Sequence, residues 1–228
     1  MVKVACCWDD GVVNDIRLIE LLRKYHAKAT FNLNPGNMRP ERGTPCWCPI
    51  GDEQGYHFHG FRNGKVGLNE LRDIYADFTV ASHGWLHLNA NEHTAEEILK
   101  DAVDARHYIE DVFQRDCPGF AWPYGRYTPE ACKLLKDAGF AYGRTTEYTT
   151  NVGATDAPLR LQSSCHFQDN KFWDKFLDAK AQNGIFYFWG HSYEMLDCPG
   201  LWDQMEQKLA KFDEDPEVEW IDVIDIVR

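Results

Sequence analysis

Val2-Lys3-Val4-Ala5-Cys6-Cys7-Trp8-Asp9-Asp10-Gly11 opens the chain with a β-rich apolar run that stops at two carboxylates and a glycine. The run reads as a strand whose polar end is exposed to chemistry. Residues 15–25 follow with Ile16, Leu18, Ile19, Leu21 and Leu22 at helical spacing, and 29–33 is a second strand. The alternation then repeats. Strands are expected at 78–82, 119–122, 140–144, 159–162 and 185–189, with a last one at 220–227. Helices are expected at 68–75, from Thr94 to about 113, at 128–139, 171–182 and 201–212. Thr94 with Glu97 forms a capping-box pattern. Thr128-Pro129 marks a helix start, and Gly139 marks its stop. Strands alternating with helices imply parallel βαβ units, and seven or eight of them closing into a barrel fit 228 residues. No linker divides the chain, so 1–228 is expected to be a single domain. Residues 35–66, rich in Pro, Gly, Asn and Arg, form a loop insertion of a length that usually carries function.

In such a barrel the residues that follow each strand gather on one rim. Four polar groups obey that rule: Asp9-Asp10-Gly11, then Ser82-His83-Gly84-Trp85-Leu86-His87, then Pro123-Tyr124-Gly125, then Gly190-His191-Ser192. Two histidines at i and i+4 on one face of a helical turn can hold one ion together. With a carboxylate they make a three-ligand set that leaves room for water and substrate. The set suits one divalent metal, zinc first, with cobalt, nickel, manganese or iron also compatible. The doubled Asp offers one carboxylate as a ligand and its neighbour as a base.

Hydrophobic residues make up 44% of the chain, enough for a real core, and the net charge is −12. That charge repels phosphate backbones, so no nucleic-acid partner is expected. No apolar stretch approaches a membrane span. The N-terminus has no signal-peptide pattern, which points to a cytoplasmic protein with its eight cysteines reduced.

The four motifs resemble those of the polysaccharide deacetylases, the NodB-type carbohydrate esterase family 4. That family usually reads T-F-D-D-G where this chain has Cys7-Trp8-Asp9-Asp10-Gly11. It reads H-[ST]-x-x-H where the chain has His83-Gly84-Trp85-Leu86-His87, and R-x-P-[YF]-G where the chain has Ala121-Trp122-Pro123-Tyr124-Gly125. His191 ends a later strand as the family's last motif does. The order matches across about residues 2–192. The resemblance implies an α/β fold, a distorted (β/α)7 TIM-like barrel. It implies Asp9 as general base, Asp10, His83 and His87 as metal ligands, the Tyr124 backbone N–H as oxyanion donor, and His191 as general acid. The implied reaction is hydrolysis of a C–N amide bond, most directly N-deacetylation of an acetamido sugar or oligosaccharide. The alternative is a deformylase or an imide or ureide hydrolase acting on a small cytoplasmic amide. A non-catalytic binding module on the same fold is the rival from another class, and the intact motif residues argue against it.

Trp85, Trp122, Pro123, Trp189 and Tyr193 adjoin the motifs and are candidates for a substrate platform. Ala121 stands where the family has an arginine that braces the catalytic Asp, and Arg126 or Arg160 are the candidates to replace it. The family's fourth motif, which tunes the acid histidine, has only Asp156, Asp169 and Trp173 as weak candidates. His166 reads as a bystander. Cys46, Cys48, His57 and His59 in the long loop are candidates for a second metal, although an aromatic flap is the better reading.

Overall fold

The computed structural model describes residues 1–47, 61–154 and 156–228. Strand β1 (Val2–Asp9) lies at the centre of a parallel sheet. On one side of it come β2 (Thr30–Leu33), β5 (Thr79–Ser82), β6 (Gly119–Ala121), β7 (Tyr142–Tyr148) and β8 (Leu161–Ser163). On the other come β10 (Ile185–Gly190) and β9 (Cys165–His166). One residue, Ser164, separates β8 from β9. The segment 161–166 therefore behaves as one bent strand, pairing with β7 at its start and β10 at its end. That bend closes the ring, and seven strands go round it, as expected for a (β/α)7 barrel.

Pleating sorts the side chains. On β1, Val2, Val4, Cys6 and Trp8 face the outer apolar layer with Phe31, Phe186 and Phe188. Ala5 and Cys7 join Tyr142 and Tyr187 in a second cluster, and the Cys7 thiol lies 3.0 Å from the Tyr187 hydroxyl. Successive side chains on a strand alternate faces, so Asp9 falls on the Ala5–Cys7 side, at the rim of the barrel's interior.

Helices cover the outside. α1 (Asp15–Lys24) buries Leu18, Ile19 and Leu22 and carries Arg23 and Lys24 in its last turn, where cations suit the helix dipole. α3 (Ala95–Phe113) opens on the expected capping box: Glu97 N–H donates to Thr94 Oγ1 at 3.2 Å, and Thr94 N–H donates to Glu97 Oε2 at 2.9 Å. α4 (Pro129–Asp137) is capped by Thr128 and stops before Gly139, whose φ is +87°. α2 (Leu71–Ile74), α5 (Phe172–Ala181) and α6 (Leu201–Asp213) complete the layer.

Local expectations change in several places. The strand expected at 140–144 starts at Tyr142 and runs to Tyr148, and the helix expected at 68–75 divides into a 3-10 turn, Leu68–Glu70, and α2. The strand at 220–227 is shorter and earlier, β11 (Val218–Trp220), followed by a 3-10 turn, Val223–Ile226. That turn packs against the interior cluster from the end opposite the rim, and Val223 N–H donates to Thr30 Oγ1 at the start of β2. Residues 159–160 belong to a 3-10 turn rather than to the strand. Within the long loop, β3 (Cys46–Trp47) pairs antiparallel with β4 (Phe61–Arg62). Cys48, His57 and His59 lie outside the described residues; Cys46 is an exposed free thiol. Among the described residues no helix is long and apolar enough to cross a membrane.

Candidate active site

Asp9 ends β1, and Asp10 leaves it in a left-handed conformation with φ +83°. Few non-glycine residues adopt that backbone unless their surroundings hold them there. Here Lys65 Nζ donates to the Asp10 carbonyl at 2.7 Å, and Asn34 Nδ2 donates to Asp10 Oδ1 at 3.0 Å. Lys65 also reaches Asn34 Oδ1 at 3.2 Å. The far end of the loop insertion is thus tied to one of the two carboxylates.

His83 and His87 come together, with their Nε2 atoms 3.1 Å apart. They do so on a loop, not on the helical turn expected from their spacing. The loop reverses through two left-handed residues, Gly84 (φ +75°) and His87 (φ +61°). Asp101, on α3, holds it by accepting from Leu86 N–H at 2.7 Å. A Cβ on Gly84 would meet Asp101 Oδ2 at 2.1 Å, which explains glycine where the family usually has a hydroxyl residue. His83 Nδ1 sits 2.8 Å from the Ala121 carbonyl. A carbonyl only accepts, so the proton is on Nδ1 and the Nε2 lone pair is free for a ligand. Burial, with help from His83, pushes His87 down to about 3, so its ring is neutral as well. Ligand atoms of Asp10, His83 and His87 all lie within 4.8 Å of one another. A carboxylate and two neutral imidazoles suit one divalent ion.

Asp9 is 2% exposed and faces Arg144, which is 1% exposed. Arg144 Nη2 donates to Asp9 Oδ2, and Asn32 Nδ2 donates to Asp9 Oδ1 at 2.7 Å. Burial alone would raise this carboxyl. Arg144, His83, His191 and Asn32 outweigh it and hold Asp9 below the usual carboxylate range. Neither Arg126 nor Arg160 does this; both are exposed. Arg144 stands on β7 as the register partner of Ala121 on β6. The guanidinium thus reaches the carboxylate from one strand further round the barrel.

His191 follows β10, its Nε2 3.9 Å from Asp9 Oδ2 and 3.8 Å from Asp10 Oδ2. Glu194 lies three residues on, in the 3-10 turn Ser192–Leu196. Its Oε2 accepts from His191 N–H at 2.8 Å and sits 3.2 Å from His191 Nδ1. Burial would lower His191, but Glu194 and then Asp10 and Asp9 overcome it and raise it to about 9. Glu194 makes the contact with His191 that was sought in Asp156, Asp169 and Trp173. Asp156 is exposed, Asp169 pairs with Lys175 at 2.6 Å, and Trp173 packs against Phe172 and Phe176 in the outer layer. Ser192 Oγ donates to Asp15 at 2.5 Å, and Tyr75 Oη donates to its other oxygen at 2.7 Å, so α1 anchors the same turn.

Tyr124 has φ +57° and is 48% exposed, with its ring 4.7 Å from that of His87. It borders a cleft of about 290 Å³ with Asp10, Asn34, Asn63, Lys65, Leu86 and His87. The residues expected to form an aromatic platform do not line this cleft. Trp122 is fully buried, its indole donating to the Leu159 carbonyl at 2.8 Å, and Pro123 is buried beside it. Neither offers a face to a substrate. Trp85 packs edge-on against Tyr108 and fills the space over Gly36. Tyr193 is 4% exposed and lies along His191. Trp189 lies under Arg144, which sits 4.8 Å from its ring.

Arg144, Glu194, Asn32, Asn34, Lys65 and Asp101 were not singled out from the sequence. Glu194 had a readable signal, an acid three residues after a strand-ending histidine, which is a turn-capping spacing. Arg144 had none that could be read without the register.

Comparison with known families matches the polysaccharide deacetylase model over residues 2–143. No curated protein matches the sequence. Among solved structures, a Mycobacterium smegmatis protein named for the same family has a TM-score of 0.68 at 15% identity, covering 100% of this chain and 90% of that one. Peptidoglycan deacetylase PdaC from Bacillus subtilis gives 0.57 at 14% identity, covering 98% and 89%. The Streptococcus pyogenes deacetylase PplD, in complex with acetate, gives 0.58 at 17% identity, covering 76% and 68%. At these identities the structures speak for the fold.

Proposed function

From the premise that the chain belongs to the polysaccharide deacetylase family, metal-dependent hydrolases of C–N bonds other than peptide bonds, we propose that it removes the acetyl group from an N-acetylated sugar. The observation that carries this reading is the placement of two adjacent carboxylates, Asp9 and Asp10, between the His83–His87 pair and His191. Asp10, His83 and His87 would hold one divalent ion, zinc by the chemistry of the donors, and the ion would polarise the acyl oxygen and acidify water.

The protein's own groups do the rest. Asp9, kept ionised by Arg144 and Asn32, accepts a proton from the attacking water. The Tyr124 backbone N–H donates to the oxygen of the acyl carbon as it becomes tetrahedral. His191 passes a proton from Nε2 to the amide nitrogen, the C–N bond breaks, and acetate and a free amine leave. The cleft of about 290 Å³ is at the small end for ligand sites and fits one sugar unit at the reacting position. Leu86 and Tyr124, both about half exposed, flank that unit.

Acetate release from an N-acetylated chito-oligosaccharide, with and without chelator, tests the reading. Turnover should vanish with the metal. Asp9→Asn should keep the metal and lose turnover, and His83→Ala should lose both. Full activity in either variant refutes the scheme.

A further inference from the structure

His166 ends β9, on the bent strand that closes the barrel, and its side chain hydrogen-bonds Glu194 beside His191. Its Nε2 is 2.9 Å from Glu194 Oε2. Its Nδ1 accepts from the backbone N–H of Gln168 at 3.3 Å. These partners fix the tautomer. Nδ1 carries the lone pair, and Nε2 carries the proton that goes to the carboxylate. This is the reverse of His83, whose proton is on Nδ1 and whose Nε2 is left open. So although His166, His191 and Glu194 lie close enough to hold an ion, the His166 nitrogen facing Glu194 is occupied by a proton.

We propose that His166 is a positioning residue for proton delivery, its Nε2–H holding the Glu194 carboxylate against His191 Nδ1. The inference rests on reading His191 as the proton donor. Three features of the molecule support it. Glu194 Oε2 is shared between His166 and His191, so a carboxylate on a short turn is fixed from two sides. Gln168, two residues beyond His166, bonds the same turn at the Glu194 carbonyl (3.2 Å) and at Asp197 (3.1 Å). The His166 ring is itself wedged edge-on against Trp189 and tilted against Phe167, each 4.8 Å away. Because that tautomer is neutral, His166 orients the anion without cancelling its charge, and the charge stays available to His191.

Leaving-group dependence separates this role from a structural one. An amide needs its nitrogen protonated, whereas the phenolate of 4-nitrophenyl acetate leaves unaided. In the metal-loaded protein His166→Leu should lower kcat on the N-acetylated chito-oligosaccharide by about tenfold, a fraction of the worth of a general acid. KM, metal content and ester hydrolysis should stay within about twofold of wild type on the same scale. His166→Gln, which keeps an N–H donor, should restore most of the loss. Equal falls on both substrates, no fall on the amide, or no rescue by Gln would overturn the proposal. If His191→Ala keeps full amide turnover, the proton-donor reading itself fails. If it loses turnover while His166→Leu does not, only the role of His166 fails. Imidazole nitrogen NMR on the resting protein adds a readout free of catalysis: a His166 ring protonated at Nδ1 refutes the inference.

Discussion

His83 and His87 lie four residues apart on one loop, with Asp10 opposite them, and one turn of chain does most of the work of bringing the imidazoles together. Asp9 and His191 are built differently. Asp9 takes its support from Arg144 on β7 and Asn32 on β2, and His191 takes its own from Glu194 and the turn anchored on Asp15. The histidine pair of the proposed metal site is local in sequence; the proposed base and acid are supported from elements far apart in the chain. The difference follows from what each side must do. Ligands need only converge on one point. A base and an acid less than 4 Å apart must be held in opposite protonation states, and that takes charges placed on particular sides of each group.

The largest effect tests the metal side. His83→Ala should remove the bound metal and lower turnover by at least about a thousandfold, since Lewis-acid assistance is worth several kcal/mol. Metal analysis after dialysis and acetate release measure the two parts. Retention of one equivalent of metal would show that the ligand set is not the one assigned here.

Next comes the brace of Asp9. Arg144→Ala strands a buried carboxylate, which should cost about 3–5 kcal/mol of stability in urea unfolding and lower kcat as well. Adding Ala121→Arg offers the guanidinium from the paired position on β6 and should recover part of both losses. If Arg144→Ala is silent, the contrast between the two sides collapses.

A smaller effect is expected at Glu194. Glu194→Gln should keep the metal and lower kcat on the amide by roughly ten- to a hundredfold, the usual worth of a partner that orients an active group. A parallel loss of metal would mean that the two sides are not separable.

The smallest concerns Asp15, beneath the His191 turn. Burial raises it to about 7, against the hydrogen bonds from Ser192 and Tyr75 and the pull of Lys65, with Asp10 adding to the rise. A carboxyl raised in the folded state holds its proton there after the unfolded chain has released it. Its contribution to stability is therefore full below about pH 4 and is lost as pH climbs to about 7. Asp15→Asn should remove that slope and raise Tm relative to wild type at pH 8 but not at pH 4. Thermal melts at the two pH values check it, and an unchanged difference would place the charged form of Asp15 in the fold.

Much of the architecture was legible because period and punctuation are local. The Thr94–Glu97 box, the Thr128-Pro129 start and the apolar runs ending at Asp9, Ser82 and Trp189 each report on a few neighbouring residues, and each forms as read. The C-terminal segment 220–227 was misread because closely spaced apolar residues at Val223, Ile224 and Ile226 serve a plug as well as they serve a strand. Trp122 was misread because a tryptophan next to a motif is indistinguishable, in one dimension, from a tryptophan packed beneath it.

By itself the sequence determined where the four motif-bearing strands end, and so which residues gather on the rim: Asp9, Asp10, His83, His87, Tyr124 and His191. Strand parity and loop spacing suffice for that. Only the tertiary structure decided what surrounds them. The parallel register sets Arg144 beside Ala121, the bend at Ser164 brings His166 to β10, and burial turns single hydrogen bonds into fixed protonation states. The ion pair they allow, Asp9 with Arg144, joins residues more than a hundred positions apart in the chain, and no local pattern encodes a distance that only closure of the barrel creates.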